Sequence, residues 1–135
     1  MNDFQIRLAT KDDARRLFEW RNDESTRRMS KNKRGVGWDE HVGWLNRRLE
    51  MDQPNLFIFE LDQDPVATFR IDGEDVSYTV APAHRNRGVA KLMLNAVRSR
   101  FGCLRAHVYA DNEPSIRVAR SAGFDVVIID PDPTK

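Results

Sequence analysis

The chain has 135 residues, enough for one domain with a real core, and 40% of them are hydrophobic. Lys and Arg number 22 against 21 Asp and Glu, so no global field recruits nucleic acid or a membrane surface. The lone Cys103 excludes an internal disulfide and suits a reducing cytoplasm, no apolar run approaches the ~20 residues of a membrane span, and the opening MNDFQIRLATKDD is too polar for a secretory signal.

Phe4, Ile6 and Leu8 alternate with Gln5 and Arg7, the period of a half-buried strand. Thr10, with Asp13 three residues on, has the form of a helix N-cap, and Ala14, Leu17 and Phe18 mark the buried stripe of a helix ending near Asn22. The polar, basic stretch 23–37 reads as a loop with one helical turn around Thr26 to Met29. A second helix carries Trp38, Val42, Leu45 and Leu49 on one face, with His41 and Trp44 on another. Leu56 to Leu61 is apolar on both faces and predicts a covered strand. Gln63-Asp64-Pro65 turns into Val66 to Ile71, and Asp72-Gly73 is a hairpin signal leading to Val76.

The stretch from Val76 to Phe101 organises the rest. Val76, Tyr78 and Val80 alternate with Ser77 and Thr79 as in a strand; Pro82 stops it, and Arg85-Asn86-Arg87-Gly88 turns the chain. Val89, Leu92, Met93, Ala96 and Val97 then fall at helical spacing, and Gly102 stands where a helix C-terminus favours positive φ. The turn thus delivers a fresh helix N-terminus, with free N–H groups and the positive dipole end, beside Arg85 and Arg87 and a glycine that permits close approach. That is a phosphate cradle, though neither a P-loop nor the G-x-G-x-x-G fingerprint. Cys103 to Tyr109 is a further strand, parallel to Val76–Val80 if the crossover is right-handed. Asp111 or Asn112 caps a short helix ending at Gly123, and Asp125 to Ile129 is a final strand before the tail with Pro131 and Pro133. The order β-α-α-β-β-β-α-β-α-β predicts an α/β fold with a mixed sheet and helices on both faces.

Arg85-Asn86-Arg87-Gly88-Val89-Ala90 resembles the R/Q-x-x-G-x-G/A signature of the GCN5-related N-acetyltransferases, the GNAT family. Asn112-Glu113-Pro114-Ser115-Ile116 through Gly123-Phe124 resembles the family's N-x-x-S/A-I … G-F segment, in order and at the expected distance. The two motifs cover about the C-terminal half. The resemblance implies one domain over 1–135, with a mostly antiparallel sheet of about six strands and a splayed parallel pair at its centre. It further implies that acetyl-CoA lies with its pyrophosphate on Arg85, Asn86, Arg87, Gly88, Val89 and Ala90. The pantetheine arm would enter the splay, pairing near Thr79 and Val80 and contacting Asn112. Trp20-Arg21-Asn22-Asp23, Arg27-Arg28-Met29 and Glu40-His41-x-x-Trp44 resemble the branch acting on nucleotide-linked amino sugars. Part of this pattern is shared with the ribosomal-protein N-terminal acetyltransferases. The resemblance makes Trp20, Arg21, His41 and Trp44 acceptor-site candidates.

The implied chemistry needs a base for the amine, a donor for the oxyanion and an acid for the leaving thiolate. Many family members carry a Tyr four residues before the Gly of G-F, where this chain has Ala119. Ser115 matches the Ser to which the N-terminal acetyltransferase branch assigns the acid role, beside its plainer reading as an N3 residue in a first turn. Tyr78, Glu60, Asp72, Tyr109 and His84 are conceivable bases, and no spacing singles one out. Only one strand's length follows Gly123-Phe124. Either the sheet is a strand short or a second subunit supplies the partner, so a homodimer is a candidate.

Plainer readings stand beside the sharper ones. Cys103 and His107 are four residues apart along a strand, ~13 Å and too far for a dyad, so Cys103 reads as a small buried hydrophobe. His41 either handles substrate or lies on the helix surface, and Trp20 and Trp44 either wall a pocket or fill the core. Lys31-Asn32-Lys33-Arg34 either grips a diphosphate or is a solvated loop. Histidines at 41, 84 and 107 lack paired ligand spacing, so no metal is expected. The leading expectation is an acetyl-CoA-dependent, cytoplasmic N-acetyltransferase acting on a small-molecule amine. Acetylation of a protein N-terminus and coenzyme A binding without turnover are the alternatives.

Overall fold

The computed structural model describes residues 3–23, 36–85, 87–102, 104–110 and 112–129. The elements follow the order read from the sequence: β1 (Phe4–Leu8), α1 (Ala14–Asn22), α2 (Trp38–Leu49), β2 (Leu56–Leu61), β3 (Asp64–Asp72), β4 (Asp75–Val80), α3 (Val89–Phe101), β5 (Arg105–Tyr109), α4 (Glu113–Ser121) and β6 (Asp125–Ile129). The expected turn at Thr26–Met29, residue 103 at the start of the expected fifth strand, Asp111 and the proline tail lie outside the described residues.

The strands form one sheet in the order β1-β2-β3-β4-β5-β6. The first four run antiparallel, and β5 and β6 each join in parallel. The uniformly apolar β2 is the sheet's hinge between two cores. Phe57 and Phe59 point to one face, with Val89, Met93, Leu94 and Val97 of α3 and Ile116 and Ala119 of α4. Leu56 and Ile58 point to the other, with Leu17 and Trp20 of α1 and Leu45 of α2. Helices therefore cover both faces. Fully buried Phe59 and Phe69 each stabilise by about 1.5–3 kcal/mol relative to exposure.

Two local signals hold as read. Thr10 and Asp13 form a reciprocal capping box ahead of α1. Gly102 ends α3 at φ 86°, its N–H bonded to the Arg98 carbonyl at 2.9 Å. Asp13 has a second duty, because both its oxygens take a bidentate grip from Arg7 at 2.8 and 2.9 Å, while Arg7 Nε reaches Glu60 at 2.9 Å.

Three expectations are corrected. The β2–β3 turn lies at Asp62 and Gln63, whose φ angles of 51° and 70° make a tight hairpin loop. Strand β3 consequently begins at Asp64 and holds Pro65 at a register shift beside Glu60, a bulge where a strand tolerates proline. On α2 the buried residues are His41 and Leu45, while Trp38 is 41% exposed. His41 is not a surface histidine: its Nε2 lies 2.9 Å from the Ala14 carbonyl inside the α1–α2 contact, while its Nδ1 is buried with no hydrogen-bond partner among the described residues. Finally, β6 lies directly against β5 in five parallel pairs. Among the described residues β6 is the edge strand of the sheet, so no central position is left unpaired, and Val127 and Ile128 on that strand are exposed.

Candidate active site

Strands β4 and β5 pair at two positions only, Asp75 with Arg105 and Val76 with Ala106. Beyond Val76 they part, and the sheet forks. Strand parity says which backbone groups the fork frees. The Ala81 N–H bonds Val66 on β3, whereas the Glu74 carbonyl accepts from Arg105 on β5. Odd-numbered backbone groups of β4 therefore serve β3, and even-numbered ones face the gap. Tyr78 and Val80 present their peptide groups to the fork, while Thr79 is paired with Thr68 on β3. The Val80 carbonyl is taken by Arg85 Nε at 3.1 Å.

Past β4 the chain makes one short helical turn, Pro82–His84, and reaches Gly88, the N-cap of α3, at φ 76°. Gly88 brings no side chain to cap this helix, and among the described residues none is seen to cap its first-turn N–H groups. A Cβ built on Gly88 would meet nothing within 4 Å, so packing does not demand glycine there. The positive φ does, and the bare backbone leaves the helix start open to an anion. Arg87 is exposed beside it, Ala90 half-buried, and Val89 anchors the turn in the core. Asn86 lies outside the described residues. Arg85 turns the other way, its Nη1 2.7 Å from Asp23 at the end of α1, and so ties the loop to α1.

Across the fork, the Asn112 side chain caps α4 by accepting from the Ser115 N–H at 3.4 Å. The Ser115 hydroxyl shares a hydrogen bond with the Tyr78 hydroxyl, which also lies 3.3 Å from the Ser115 carbonyl. Burial pushes the Tyr78 phenol above its usual pKa, with Ser115 pulling weakly the other way, so Tyr78 holds a proton and is no base at neutral pH. Position 119, where the family motif has Tyr, is a fully buried Ala one turn further along α4. A phenol hydroxyl still reaches this helix, delivered by the strand.

The opposite face of the fork is bounded by α1 and α2. Ser77 and Arg70 are register partners there, and Arg70 also faces Leu56, which belongs to the α1–α2 core. The guanidinium of Arg21 lies over the Trp44 ring at 4.8 Å. Of the four acceptor-site candidates, Arg21 and Trp44 thus come together near this face. Trp20 is 9% exposed and part of the core, and His41 is sealed against Ala14. Burial lowers the His41 pKa, the Ala14 hydrogen bond opposing and Arg21 reinforcing the shift.

Among the candidate bases, Glu60 is tied to Arg7 at 2.9 Å, Asp72 to Arg48 at 2.8 Å, and His84 stands 3.5 Å from Asp64. Burial raises the Tyr109 phenol, as it does Tyr78. The titratable side chain one residue past the fork is His107, whose Nε2 lies 2.9 Å from Asp75 Oδ1. The hydrogen bond from His107 holds the Asp75 carboxyl below its usual range, burial opposing it slightly. Sequence reasoning weighed His107 as a partner of Cys103 and as a metal ligand, not as a base. A signal was present, since Asp75 opens one strand of the parallel pair and His107 lies on the other. Among the described residues no cluster of His, Cys, Asp or Glu could hold a metal ion, and no helix is long and apolar enough to cross a membrane.

A forked mixed sheet whose next helix opens on Gly88 defines a class: α/β folds that leave an anion position at a helix start and an extended slot between two strands. The profile of the acetyltransferase (GNAT) domain family matches residues 3–125, and the chain belongs to that family and is an acyltransferase. No curated protein matches it. Among solved structures it is similar to spermidine N-acetyltransferase from Vibrio cholerae, determined with CoA and spermine. That pair shares 17% identity and a TM-score of 0.75, over 89% of this chain and 79% of that one. The Salmonella typhimurium protein yncA, with its cofactor acetyl-CoA, matches at 25% identity and TM-score 0.59, over 89% of this chain and 78% of that one. The aminoglycoside N-acetyltransferase AAC(6')-Iy, in complex with CoA, matches at 21% and 0.63, over 93% and 90%.

Proposed function

We propose that the chain is an acetyl-CoA-dependent N-acetyltransferase acting in the cytoplasm on the primary amine of a nucleotide-linked amino sugar. The observation that carries the reading is the fork: a β4 strand whose Tyr78 and Val80 peptide groups have no partner on β5, leading into an α3 that opens on Gly88. These residues fit a coenzyme A arm. The α3 N–H groups, Gly88 and Arg87 would hold the pyrophosphate, the Tyr78 peptide groups would pair with the arm, the Val80 N–H would meet its thioester end, and Asn112 would flank it.

When bound, acetyl-CoA supplies an acyl group activated as a thioester. The chain's own groups do the rest. His107 donates its Nε2–H to Asp75, which leaves Nδ1 as the acceptor for the amine's proton. The Val80 N–H faces the gap as the oxyanion donor. Ser115 Oγ holds the proton that the leaving sulfur needs, and the Tyr78 hydroxyl fixes its orientation. The open β6 edge, with Val127 and Ile128 exposed, supports a homodimer, which light scattering would reveal as twice the chain's mass.

The test is release of free coenzyme A thiol with a panel of amines. Transfer to an amino sugar nucleotide, and not to peptides, is expected. Transfer confined to peptide N-termini would move the chain to the ribosomal-protein branch, and tight acetyl-CoA binding without turnover would make it a binding module.

A further inference from the structure

Two arginines on the α1–α2 face of the fork each have a buried donor without a hydrogen-bond partner among the described residues, Arg21 Nη1 and Arg70 Nε. Arg70 Nε lies 3.5 Å from Asp72 without bonding it, and Asp72 is held more closely by Arg48 at 2.8 Å. Arg21 lies over the Trp44 ring at 4.8 Å, which holds its guanidinium at this face. Burial lowers the Arg21 pKa and the like charge of Arg70 lowers it further, so the two cations lie within electrostatic reach of each other. Glu40, in the first turn of α2, opposes that shift as the nearby countercharge. Two like charges with orphaned donors cost stability unless an anion sits between them.

Their place in the fold says what the anion is part of. Arg70 is the register partner of Ser77, one residue beyond the last β4–β5 pair, and its side chain remains 42% exposed. Arg21 approaches the same face from α1. An acceptor reaching the fork from this side must pass the pair.

We infer that Arg21 and Arg70, with Trp44 as a platform, form an anion subsite for the acceptor, so that the amine acetylated belongs to a molecule carrying a carboxylate or phosphate group. The inference rests on reading the fork as the acyl-transfer site, and it sharpens that reading by excluding polycations. Spermine or an aminoglycoside, taken by structurally similar enzymes, would meet two arginines here.

The test compares matched acceptors: alanine with alaninamide for the carboxylate, glucosamine 1-phosphate with glucosamine for the phosphate, and spermidine as the polycation. One anionic member should exceed its neutral partner in kcat/KM by about 10–100-fold, the worth of charge-assisted hydrogen bonds. Arg70→Gln should erase that preference through KM alone, with Arg70→Lys between the two. Equal use of the neutral partners, preference for spermidine, or a loss that Arg70→Gln spreads evenly over all acceptors would overturn the subsite. Calorimetry with inorganic phosphate keeps the two readings apart. Phosphate binding lost in Arg70→Gln but kept in Gly88→Val supports the subsite even if no acceptor turns over. Binding lost in Gly88→Val but kept in Arg70→Gln, or no binding at all, contradicts it. Acetyl-CoA titrated into the same samples reports separately on the fork.

Discussion

The Tyr78 and Ser115 hydroxyls share one hydrogen bond across the fork of the sheet, joining the strand that leaves the fork to the helix that faces it. Tyr78 has one proton and two acceptors within reach, the Ser115 hydroxyl and the Ser115 carbonyl. Its raised pKa keeps that proton in place at neutral pH. If Ser115 is the acid, Ser115→Ala should lower kcat by about 10²-fold, the lower end of what a positioned proton donor contributes, with acetyl-CoA affinity nearly intact. Tyr78→Phe should lower kcat by less and leave KM for the acceptor unchanged. Steady-state kinetics with a thiol reagent check both, and unchanged kcat in Ser115→Ala would remove it from the mechanism.

His107 stands one residue past the fork with Asp75 fixing its ring. His107→Gln should reduce kcat by about 10²-fold at pH 7 and leave acetyl-CoA affinity nearly intact. An unchanged kcat assigns the base elsewhere.

Gly88 takes φ 76° with open space where a Cβ would go. Gly88→Val should leave the core untouched and cost about 1–3 kcal/mol at the loop, since a β-branched residue rarely adopts that conformation. It should abolish acetyl-CoA binding in calorimetry, while circular dichroism shows the fold retained.

Folding should weaken in acid for two separable reasons. His41 is buried with its pKa below the ordinary 6.5, so the unfolded chain binds its proton first. Stability is full above about pH 6.5 and falls as pH drops toward the folded value. His41→Gln should remove that part of the decline in urea unfolding midpoints. Burial pushes the Asp13 carboxyl up, but Arg7, the Thr10 N–H and Arg16 outweigh it and leave its pKa below the usual 3.8. Its contribution is present above that value and lost at still lower pH. Asp13→Ala removes the buried partner of Arg7 and should destabilise by about 3–5 kcal/mol at pH 7.

Much of the fold was legible because local rules and tertiary structure agree. The Thr10–Asp13 box and the glycines at 88, 102 and 123 are short-range features, and each appears where it was read. The alternation in β1 predicted a buried face that the fold does not supply, since Phe4 and Leu8 are 48% and 51% exposed. What periodicity could not see was set by partners distant in sequence. His41 is buried because Ala14 offers a carbonyl, and Trp38 is displaced outward, with Phe18 edge-on to its ring at 5.2 Å. The turn into α3 was legible from Gly88, but the direction of Arg85 was not, since Asp23 lies 62 residues away. The resemblance placed the arm near Thr79 and Val80; the register pairs Thr79 with Thr68 on β3 and turns the Val80 peptide toward the gap, which no local pattern shows. Tyr78–Ser115 and Asp75–His107 each join two elements that only the fork brings together.

The central claim, that a coenzyme diphosphate rests on the amides opening α3, is tested most directly by isothermal titration of acetyl-CoA into the wild-type chain and Gly88→Val. Saturable one-to-one binding to the wild type, lost in a folded Gly88→Val, is the predicted result. Equal affinity in both, or none in the wild type, would contradict it.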